Sequence, residues 1–360
     1  MITGGAGFIG SHLADELLRF GYRVRVLDSL VEQVHESGRP DYLDPDVELL
    51  VGDVRDRDAV GRALDGVEMV VHLAARVGVG QSMYEIAEYA DANTAGTAHL
   101  LEALSDREIA RLVVASSMSV YGEGLYLGPD GEAVVDAVRT REQLARREWE
   151  PGAGLQPVPT PEWKPPSLAS VYALTKYDQE RLCLIWGDNY GVPTVALRFF
   201  NVYGPRQALS NPYTGVLAIF AARLLNGKPP LVFEDGEQRR DFVSASDASR
   251  AIRLALETDA AAGCVLNVGS GRNVTVRQIA ALLASALDVP SEVVVTRTAR
   301  AGDIRHCFAD VELSRQTLGF EAEVELEDGI AELVAWLAGR RPDYRAERAR
   351  AELERRGLTL

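Results

Sequence analysis

Cysteine and histidine are scarce in this sequence, and basic residues are not in excess. Three cysteines and five histidines occur among 360 residues, and no two cysteines form a C-x-x-C pair. This spacing argues against a disulfide framework and against a structural zinc site. Lys and Arg number 38 against 53 Asp and Glu, and the net charge of −15 disfavours general attraction to nucleic acid or to an anionic membrane.

Long hydrophobic runs are also absent. No stretch approaches the roughly 18 apolar residues of a membrane span, and the first residues lack the pattern of a secretion signal. We therefore expect a cytoplasmic protein that binds neither nucleic acid nor a membrane. The segment 125–168 contains no cysteine, so we expect no metal there. An anionic ligand would need a local cluster of arginines.

The sequence does contain an alternation of short β-branched runs and helical patterns. The runs cover residues 1–3, 23–27, 47–51, 69–72, 112–115 and 194–198. Such alternation predicts an α/β fold with a doubly wound parallel sheet and helices on both faces. After residue 204 the pattern is less regular, which indicates a smaller, interleaved C-terminal α+β domain.

The predicted domain boundaries follow from these changes of pattern. Residues 1–203 and about 241–268 are assigned to the sheet domain, and residues 204–240 and 269–340 to the smaller domain. The Pro- and Gly-rich segment 125–168 is predicted to be an ordered insertion or a lid. Alternating Arg and Glu in residues 341–360 predict a solvated helical tail.

A glycine-rich turn between the first strand and the first helix indicates a cofactor site. Gly4, Gly7 and Gly10 have the spacing G-x-x-G-x-x-G, which lets this backbone, including Phe8 and Ile9, approach a pyrophosphate at a helix N-terminus. Glycines are also common in any tight strand-to-helix turn. Asp28 ends the next predicted strand, where a carboxylate can accept hydrogen bonds from the adenosine ribose and would repel a 2′-phosphate, so NAD is favoured over NADP.

Residues at two further strand ends extend the predicted cofactor site. Asp53 and Val54 follow the third strand and are placed to face the adenine, although Asp53 could equally cap the next helix. Leu73, Ala74 and Ala75 follow the fourth strand and leave room for a cofactor, although ordinary packing explains them as well. His72 is expected to be packed rather than catalytic.

An acid/base group is predicted on a helix that begins near Ser170. Tyr172 and Lys176 are four residues apart and share one face of this helix. A nearby ammonium favours the ionised form of a phenol, whose ordinary pKa is about 10. Tyr172 could then take a proton from a sugar hydroxyl while hydride leaves the same carbon. Ser117, after a strongly apolar strand, could bond the reacting oxygen.

The sequence resembles the extended short-chain dehydrogenase/reductase family, specifically its NAD-dependent nucleotide-sugar epimerases and dehydratases. The resemblance rests on the order along the chain of Gly4 to Gly10, Asp28, Ser117, Tyr172 and Lys176. The resemblance covers nearly the whole chain. It implies a Rossmann fold, NAD as cofactor, a dTDP- or UDP-linked sugar as substrate, and a homodimer formed through helices near residues 92–104 and 172–190.

The same resemblance implies further site residues. Asn93 is expected at the cofactor, and the expected substrate-binding residues are Ser117, Ser119, Asn201, Arg240, Arg300 and Asp303. Guanidinium groups suit a diphosphate because they bind its oxygens with two hydrogen bonds at once, whereas surface ion pairing is the plainer alternative. Pro212, Tyr213 and Phe233 are candidates for packing on the base, or simply for the core.

The reaction is inferred from two positions after Ser117. Family members that eliminate water carry an Asp-Glu pair there, whereas this chain has Met118 and Ser119. Neither residue can perform that proton transfer, so epimerisation at C4 is favoured over dehydration. The residues 117–124 and the long insertion resemble bacterial enzymes that epimerise deoxysugar nucleotides. A ketoreductase that uses NAD(P)H and a non-catalytic NAD-binding sensor or scaffold remain as alternatives.

Overall fold

A computed structural model of the chain describes residues 1–35, 38–209, 215–340 and 346–359. Its strands are β1 (Ile2–Thr3), β2 (Arg25–Asp28), β3 (Glu48–Val51), β4 (Met69–His72), β5 (Arg111–Ser117), β6 (Leu125–Leu127), β7 (Ala133–Val134), β8 (Gln156–Val158), β9 (Thr194–Phe199), β10 (Asn201–Tyr203), β11 (Leu231–Val232), β12 (Arg239–Ser244), β13 (Val265–Val268), β14 (Asn273–Thr275), β15 (Val294–Val295) and β16 (His306–Cys307).

The helices alternate with these strands over the first two thirds of the chain. They are α1 (Phe8–Arg19), α2 (Arg57–Ala63), α3 (Val79–Ser82), α4 (Ile86–Tyr89), α5 (Gly96–Leu104), α6 (Arg141–Ala145), α7 (Val171–Tyr190), α8 (Val216–Leu225), α9 (Ala245–Glu257), α10 (Val276–Ala286), α11 (Glu312–Leu318), α12 (Leu326–Leu337) and α13 (Ala346–Arg355). A π-helical turn, Ala90–Ala95, runs directly into α5. None of the described helices combines the length and the apolar character needed to span a bilayer.

A seven-stranded parallel sheet forms the centre of the fold. Its strand order is β13-β9-β5-β4-β1-β2-β3, and all of its neighbouring pairs are parallel. The chain winds in opposite directions on either side of β1, so the order reverses between β1 and β4. In such sheets ligands bind at the carboxyl ends of the strands near this reversal. The predicted doubly wound Rossmann fold is confirmed.

Helices cover both faces of the sheet. On one face α1 and α9 bury an apolar cluster that includes Leu13, Leu17 and Ile252. On the other face α2, α5 and α7 bury Leu100, Leu104 and Trp186 among others. Each fully buried side chain of this size contributes about 1.5–3 kcal/mol to folding. These two cores hold the carboxyl ends of the strands in place.

A second, smaller group of elements follows the sheet. Strand β12 pairs with β10, β14 and β16, while β11 pairs with β15. Helices α8, α10 and α12 pack around this group in a core of their own. Because β10 begins two residues after the end of β9, Asn201 lies where the chain passes from the large sheet to the small one. The exact domain division stays a prediction.

The insertion 125–168 is ordered by a three-stranded antiparallel sheet in the order β7-β6-β8. Two main-chain bonds join it to the residues after β16: Thr160 N donates to Phe308 O at 2.8 Å, and Asp310 N donates to Thr160 O at 3.1 Å. The C-terminal residues differ from the sequence prediction. Leu353 is 6% exposed and lines the cavity described next, so α13 is not solvated on all sides.

Candidate active site

A cavity of about 830 Å³ lies at the carboxyl ends of the sheet strands, between the sheet and the smaller group. The cofactor and substrate residues expected from the sequence meet there, although they come from all parts of the chain. Those that line the cavity are Gly4, Gly7, Phe8, Ile9, Gly10, Asp28, Asp53, Val54, Leu73, Ala74, Ala75, Ser117, Ser119, Tyr172, Lys176, Asn201, Arg240, Arg300 and Asp303.

The glycine loop is shaped for close packing and for an anion. A Cβ at Gly10 would lie 2.4 Å from Gly5 Cα, so this glycine lets α1 sit directly on the loop. Gly4 has φ +67°, and a Cβ there would lie 2.9 Å from the Ala74 backbone. Gly7 is the N-cap residue directly before α1, and no side chain caps the helix. The cradle therefore suits a pyrophosphate, which the first-turn amides would hold.

The two carboxylates of the cofactor side are fixed by hydrogen bonds. Asp28 accepts from Ala6 N at 3.0 Å and from Leu30 N at 2.9 Å, which orients it at the cavity wall. Asp53 accepts from Arg55 Nη2 at 2.8 Å, and this hydrogen bond lowers its pKa. Asp53 does not cap the next helix, because Asp56 is the residue that caps α2.

Asn93 is the one predicted cofactor residue that does not line the cavity. Its side chain is fully buried. Its oxygen accepts from Arg76 N at 2.7 Å, and its amide donates to Arg76 O and to Thr175 Oγ1. These hydrogen bonds join the loop after β4 to α7. The assignment of Asn93 to the cofactor stays a prediction.

Tyr172 and Ser117 meet at the middle of the cavity. Helix α7 begins at Val171 because Ser170 accepts from Ala173 N at 3.1 Å and caps it. Ser117 Oγ accepts from Ser119 Oγ at 2.9 Å and from Ser119 N at 3.2 Å, so its own hydroxyl proton can be donated towards Tyr172 and the cavity. Burial raises the pKa of Tyr172, and a hydrogen bond with Ser117 opposes this shift. Ionisation of the phenol therefore depends on positive charge nearby.

Lys176 lies in a buried hydrogen-bond network that sequence reasoning missed. Its Nζ donates to Gln179 Oε1 at 2.7 Å, and burial lowers its pKa to about 8. Gln179 Nε2 in turn lies 3.0 Å from His72 Nε2 and 2.9 Å from Thr97 Oγ1. Burial, with a smaller effect of Lys176, lowers the pKa of His72 to about 3, so this histidine is neutral and packed, as the sequence predicted.

The network links the lysine to the cofactor loop. His72 Nδ1 lies 2.7 Å from Thr3 Oγ1, directly before the glycine turn. The anchor of Lys176 is therefore a neutral amide, which holds the ammonium without compensating its charge. The sequence offered one signal of this role: Gln179 falls on the same side of α7 as Lys176, three residues further on.

Two arginines supply positive charge at the opposite end of the cavity. Arg240 donates to the carbonyl oxygens of Arg239, Ile304 and Arg305, and burial lowers its pKa. Arg300 forms an ion pair with Asp303 at 2.8 Å, and its guanidinium lies 4.4 Å from the centre of the Phe233 ring. Because these hydrogen bonds of Arg240 go to carbonyl groups, its charge remains available to a diphosphate.

Three side-chain amides border the same end of the cavity. The oxygen atoms of Asn201, Gln207 and Gln238 are buried and have no hydrogen-bond partner. A buried polar atom without a partner is costly, so each of these groups is suited to a polar ligand. Sequence reasoning identified Asn201 but missed both glutamines. Phe233 lines the cavity, whereas Pro212 and Tyr213 lie outside the described residues.

Residues 300–303, here called the clamp loop, are held from the insertion side by buried charges. Arg139 pairs with Glu123 at 2.9 Å and with Glu234 at 2.6 Å, and it donates to Asp303 O at 2.8 Å. Arg305 pairs with Glu234 at 3.0 Å and with Glu150 of the insertion at 2.7 Å. The insertion therefore supports the substrate end of the cavity through ion pairs.

The chain is similar to proteins of one known enzyme family. The chain matches the model of the NAD dependent epimerase/dehydratase family over residues 1–146 and 150–269. It is 37% identical over 344 residues to the dTDP-L-rhamnose 4-epimerase of Burkholderia thailandensis, with 94% of each chain covered.

Solved structures agree with this match. The UDP-glucose 4-epimerase of Thermotoga maritima, determined with UDP-glucose, has a TM-score of 0.78 and 32% identity, with 94% of this chain and 97% of that chain covered. The Thermus thermophilus UDP-glucose 4-epimerase in complex with NAD has a TM-score of 0.75 and 31% identity, with coverage of 94% and 98%.

Proposed function

Since the chain belongs to the NAD dependent epimerase/dehydratase family, we propose that it inverts the configuration at C4 of a dTDP- or UDP-linked sugar. It is an NAD-dependent enzyme of the sugar-nucleotide epimerase type, and its sheet has the Rossmann topology. What the proposal adds is the reaction carried out at this site and the nature of the sugar nucleotide.

The observation that carries the proposal is the wall next to Ser117. Met118 and Ser119 line the cavity there, and Ser119 donates its hydroxyl proton to Ser117. A dehydratase needs an acid and a base at this point to remove water from the sugar. A thioether and a hydroxyl that is already bonded to Ser117 provide neither, whereas epimerisation requires only one acid/base group.

The proposed mechanism assigns that single role to Tyr172. The Tyr172 phenolate removes the proton of the C4 hydroxyl while Ser117 donates a hydrogen bond to the same oxygen. Bound NAD supplies the chemistry of accepting the hydride from C4 and returning it. Arg240, Arg300 and Asn201 hold the diphosphate, and the 4-keto sugar rotates relative to it until its other face is presented. Tyr172 then gives the proton back to the C4 oxygen on the other face.

The substrate and the assembly are parts of the same proposal. The buried amides of Gln207 and Gln238 support a nucleotide base as ligand, since an N–H group of a base can donate to their unpaired oxygen atoms. A homodimer through α5 and α7 is supported by Leu174 and Ile185 of α7, which are 46% and 53% exposed. Exposed apolar side chains on one helix are suited to a subunit contact.

Proton NMR of the purified protein with a panel of UDP- and dTDP-sugars tests the proposal. No cofactor is added, and the anomeric and H4 signals are followed. A new C4 epimer would support both the reaction and a tightly held NAD. If no sugar changes, but a 4-keto sugar nucleotide is reduced when NADH or NADPH is supplied, the epimerase proposal is wrong and a ketoreductase takes its place.

A further inference from the structure

Two leucines at the C-terminal end of the chain complete the substrate end of the cavity. Leu353 of α13 and Leu358 both line it, and Leu353 is 6% exposed. The chain turns back between them at Gly357, where φ is +66°, and Leu358 N donates to Leu353 O at 3.0 Å. This tight turn brings both apolar side chains to the same cavity, although charged residues surround them in the sequence.

The same segment binds the clamp loop through its main chain. Ala301 N donates to Leu358 O at 2.9 Å, and Arg300 and Thr359 form an antiparallel bridge. Residues 358 and 359 therefore pair with the loop that carries Arg300 and Asp303, as a neighbouring strand would. Arg139 of the insertion holds this loop at Asp303 O, so it is supported from two directions.

The segment also contacts the cofactor side of the cavity. A Cβ at Gly80 of α3 would lie 3.3 Å from Leu353 Cδ1, which shows how closely this leucine approaches the helix. The Arg356 guanidinium lies 4.4 Å from the centre of the Tyr84 ring. Residues 351–359 thus contact α3 and the residues after it on one side and the clamp loop on the other.

From these contacts we propose that residues 351–359 form a strap that positions the clamp loop and closes the cavity over the sugar. The proposal rests on the proposed function. A 4-keto sugar that must rotate inside the cavity needs a firmly held diphosphate, few polar contacts with its ring and a barrier to its escape. The main-chain bond from Ala301 and the bridge at Arg300 serve the first need. The apolar surfaces of Leu353 and Leu358 serve the other two, because they offer the sugar no hydrogen bonds and exclude water.

Three variants and one control test the strap. Leu353→Ala and Leu358→Ala remove its apolar surface, and a chain that ends at residue 345 removes it altogether. Arg315→Ala is the matched control, because this side chain lies outside the strap on α11, is 50% exposed and forms the same kind of ion pair with a glutamate three residues away. Calorimetric titration with UDP and with dTDP measures binding without any turnover, and the NAD content after gel filtration reports on the cofactor side.

Damage to the strap should weaken nucleotide binding at the clamp loop and let the keto sugar escape from the cavity. We expect the shortened chain to bind UDP or dTDP about tenfold more weakly, and Leu353→Ala to release keto sugar during turnover, so that protein-bound reduced nicotinamide accumulates. Arg315→Ala should match the wild-type protein in both measurements. A merely structural role would lower thermal stability without reduced cofactor building up in the leucine variants.

Wild-type nucleotide affinity in the shortened chain, together with no accumulation of reduced cofactor in either leucine variant, would overturn the strap. If the shortened chain does not fold, the two leucine variants decide alone. If the wild-type protein epimerises no sugar, the proposed function fails. The calorimetric comparison still tests the strap in that case, because it needs no reaction.

Discussion

The two walls of the cavity are built on different physical principles. The cofactor wall consists of short contiguous segments at strand ends, such as Gly4–Gly10 and Leu73–Ala75, joined by hydrogen bonds through Gln179 and His72. The substrate wall is assembled from the insertion, the clamp loop and the C-terminal strap. Arg139 and Arg305 form the ion pairs that join the insertion to this wall, and the pairs of Arg139 are buried. Parallel strands determine the first wall, whereas contacts between distant segments determine the second.

This difference has a chemical use. An anchor without a carboxylate leaves the charge of Lys176 free to act on the phenol, so the cofactor wall is suited to a group that must ionise. Ion pairs between distant segments hold the clamp loop rigidly, which is what a fixed diphosphate needs. We therefore expect changes to the first wall to alter rates and pH profiles, and changes to the second to alter stability and substrate binding.

The largest expected effect is on the cofactor wall, in Tyr172→Phe. Loss of the phenol hydroxyl removes the acid/base group, so kcat should fall by about 10²–10⁴-fold. NAD content and UDP binding should remain those of the wild-type protein. Tyr190→Phe is the control, since Tyr190 ends the same helix and is 56% exposed. A Tyr172→Phe protein with an unchanged rate would show that another residue moves the proton.

The substrate wall should respond differently to Arg139→Met. The variant leaves Glu123 and Glu234 buried without this partner, and breaking a buried pair in this way costs about 3–5 kcal/mol of unfolding free energy. We also expect a higher KM for the sugar nucleotide, because Asp303 O loses a donor. Urea unfolding measures the first effect and steady-state kinetics the second.

Arg146→Met provides the comparison within the insertion. Arg146 pairs with Glu148 at 2.8 Å, and both side chains are more than half exposed. Exposed pairs contribute little, so the free energy of unfolding of this variant should equal that of the wild-type protein. Equal losses in both arginine variants would mean that burial of the Arg139 pairs is not what stabilises the substrate wall.

The smallest effect expected is a shift of the pH profile in Gln179→Glu. A carboxylate in place of an amide oxygen 2.7 Å from Lys176 Nζ favours the charged ammonium, so the pKa of Lys176 should rise from about 8. The added negative charge also compensates Lys176, and Tyr172 should then ionise at a higher pH. The acidic limb of kcat should move upward by about one pH unit, a tenfold lower rate on that limb.

Gln316→Glu introduces the same change at an exposed position of α11, and its pH profile should match that of the wild-type protein. A Gln179→Glu profile that superimposes on the wild-type profile would show that Gln179 only fills space. The cofactor wall would then lose the electrostatic role that distinguishes it from the substrate wall.

Local patterns predicted much of the cofactor wall. The glycine turn, Asp28 and the pair Tyr172 and Lys176 are short-range features, because a strand end or one helical turn already places their side chains. Arg240 and Arg300 were located by resemblance, and their position at the cavity agrees with it. Asn93 was assigned to the cofactor by resemblance, and its position in the sequence does not reveal its hydrogen bonds to Arg76 and Thr175.

The sequence by itself determined the alternation of strands and helices, and hence the doubly wound sheet and the edge at which a ligand binds. Only the tertiary structure decided which charges are buried together and where the chain end lies. Arg139, Glu234 and Arg305 are far apart in sequence, and the charged composition of α13 indicated solvent exposure, while Leu353 packs into the cavity. Periodicity reports the face of one element, whereas the partner of that face depends on packing between segments that the sequence separates.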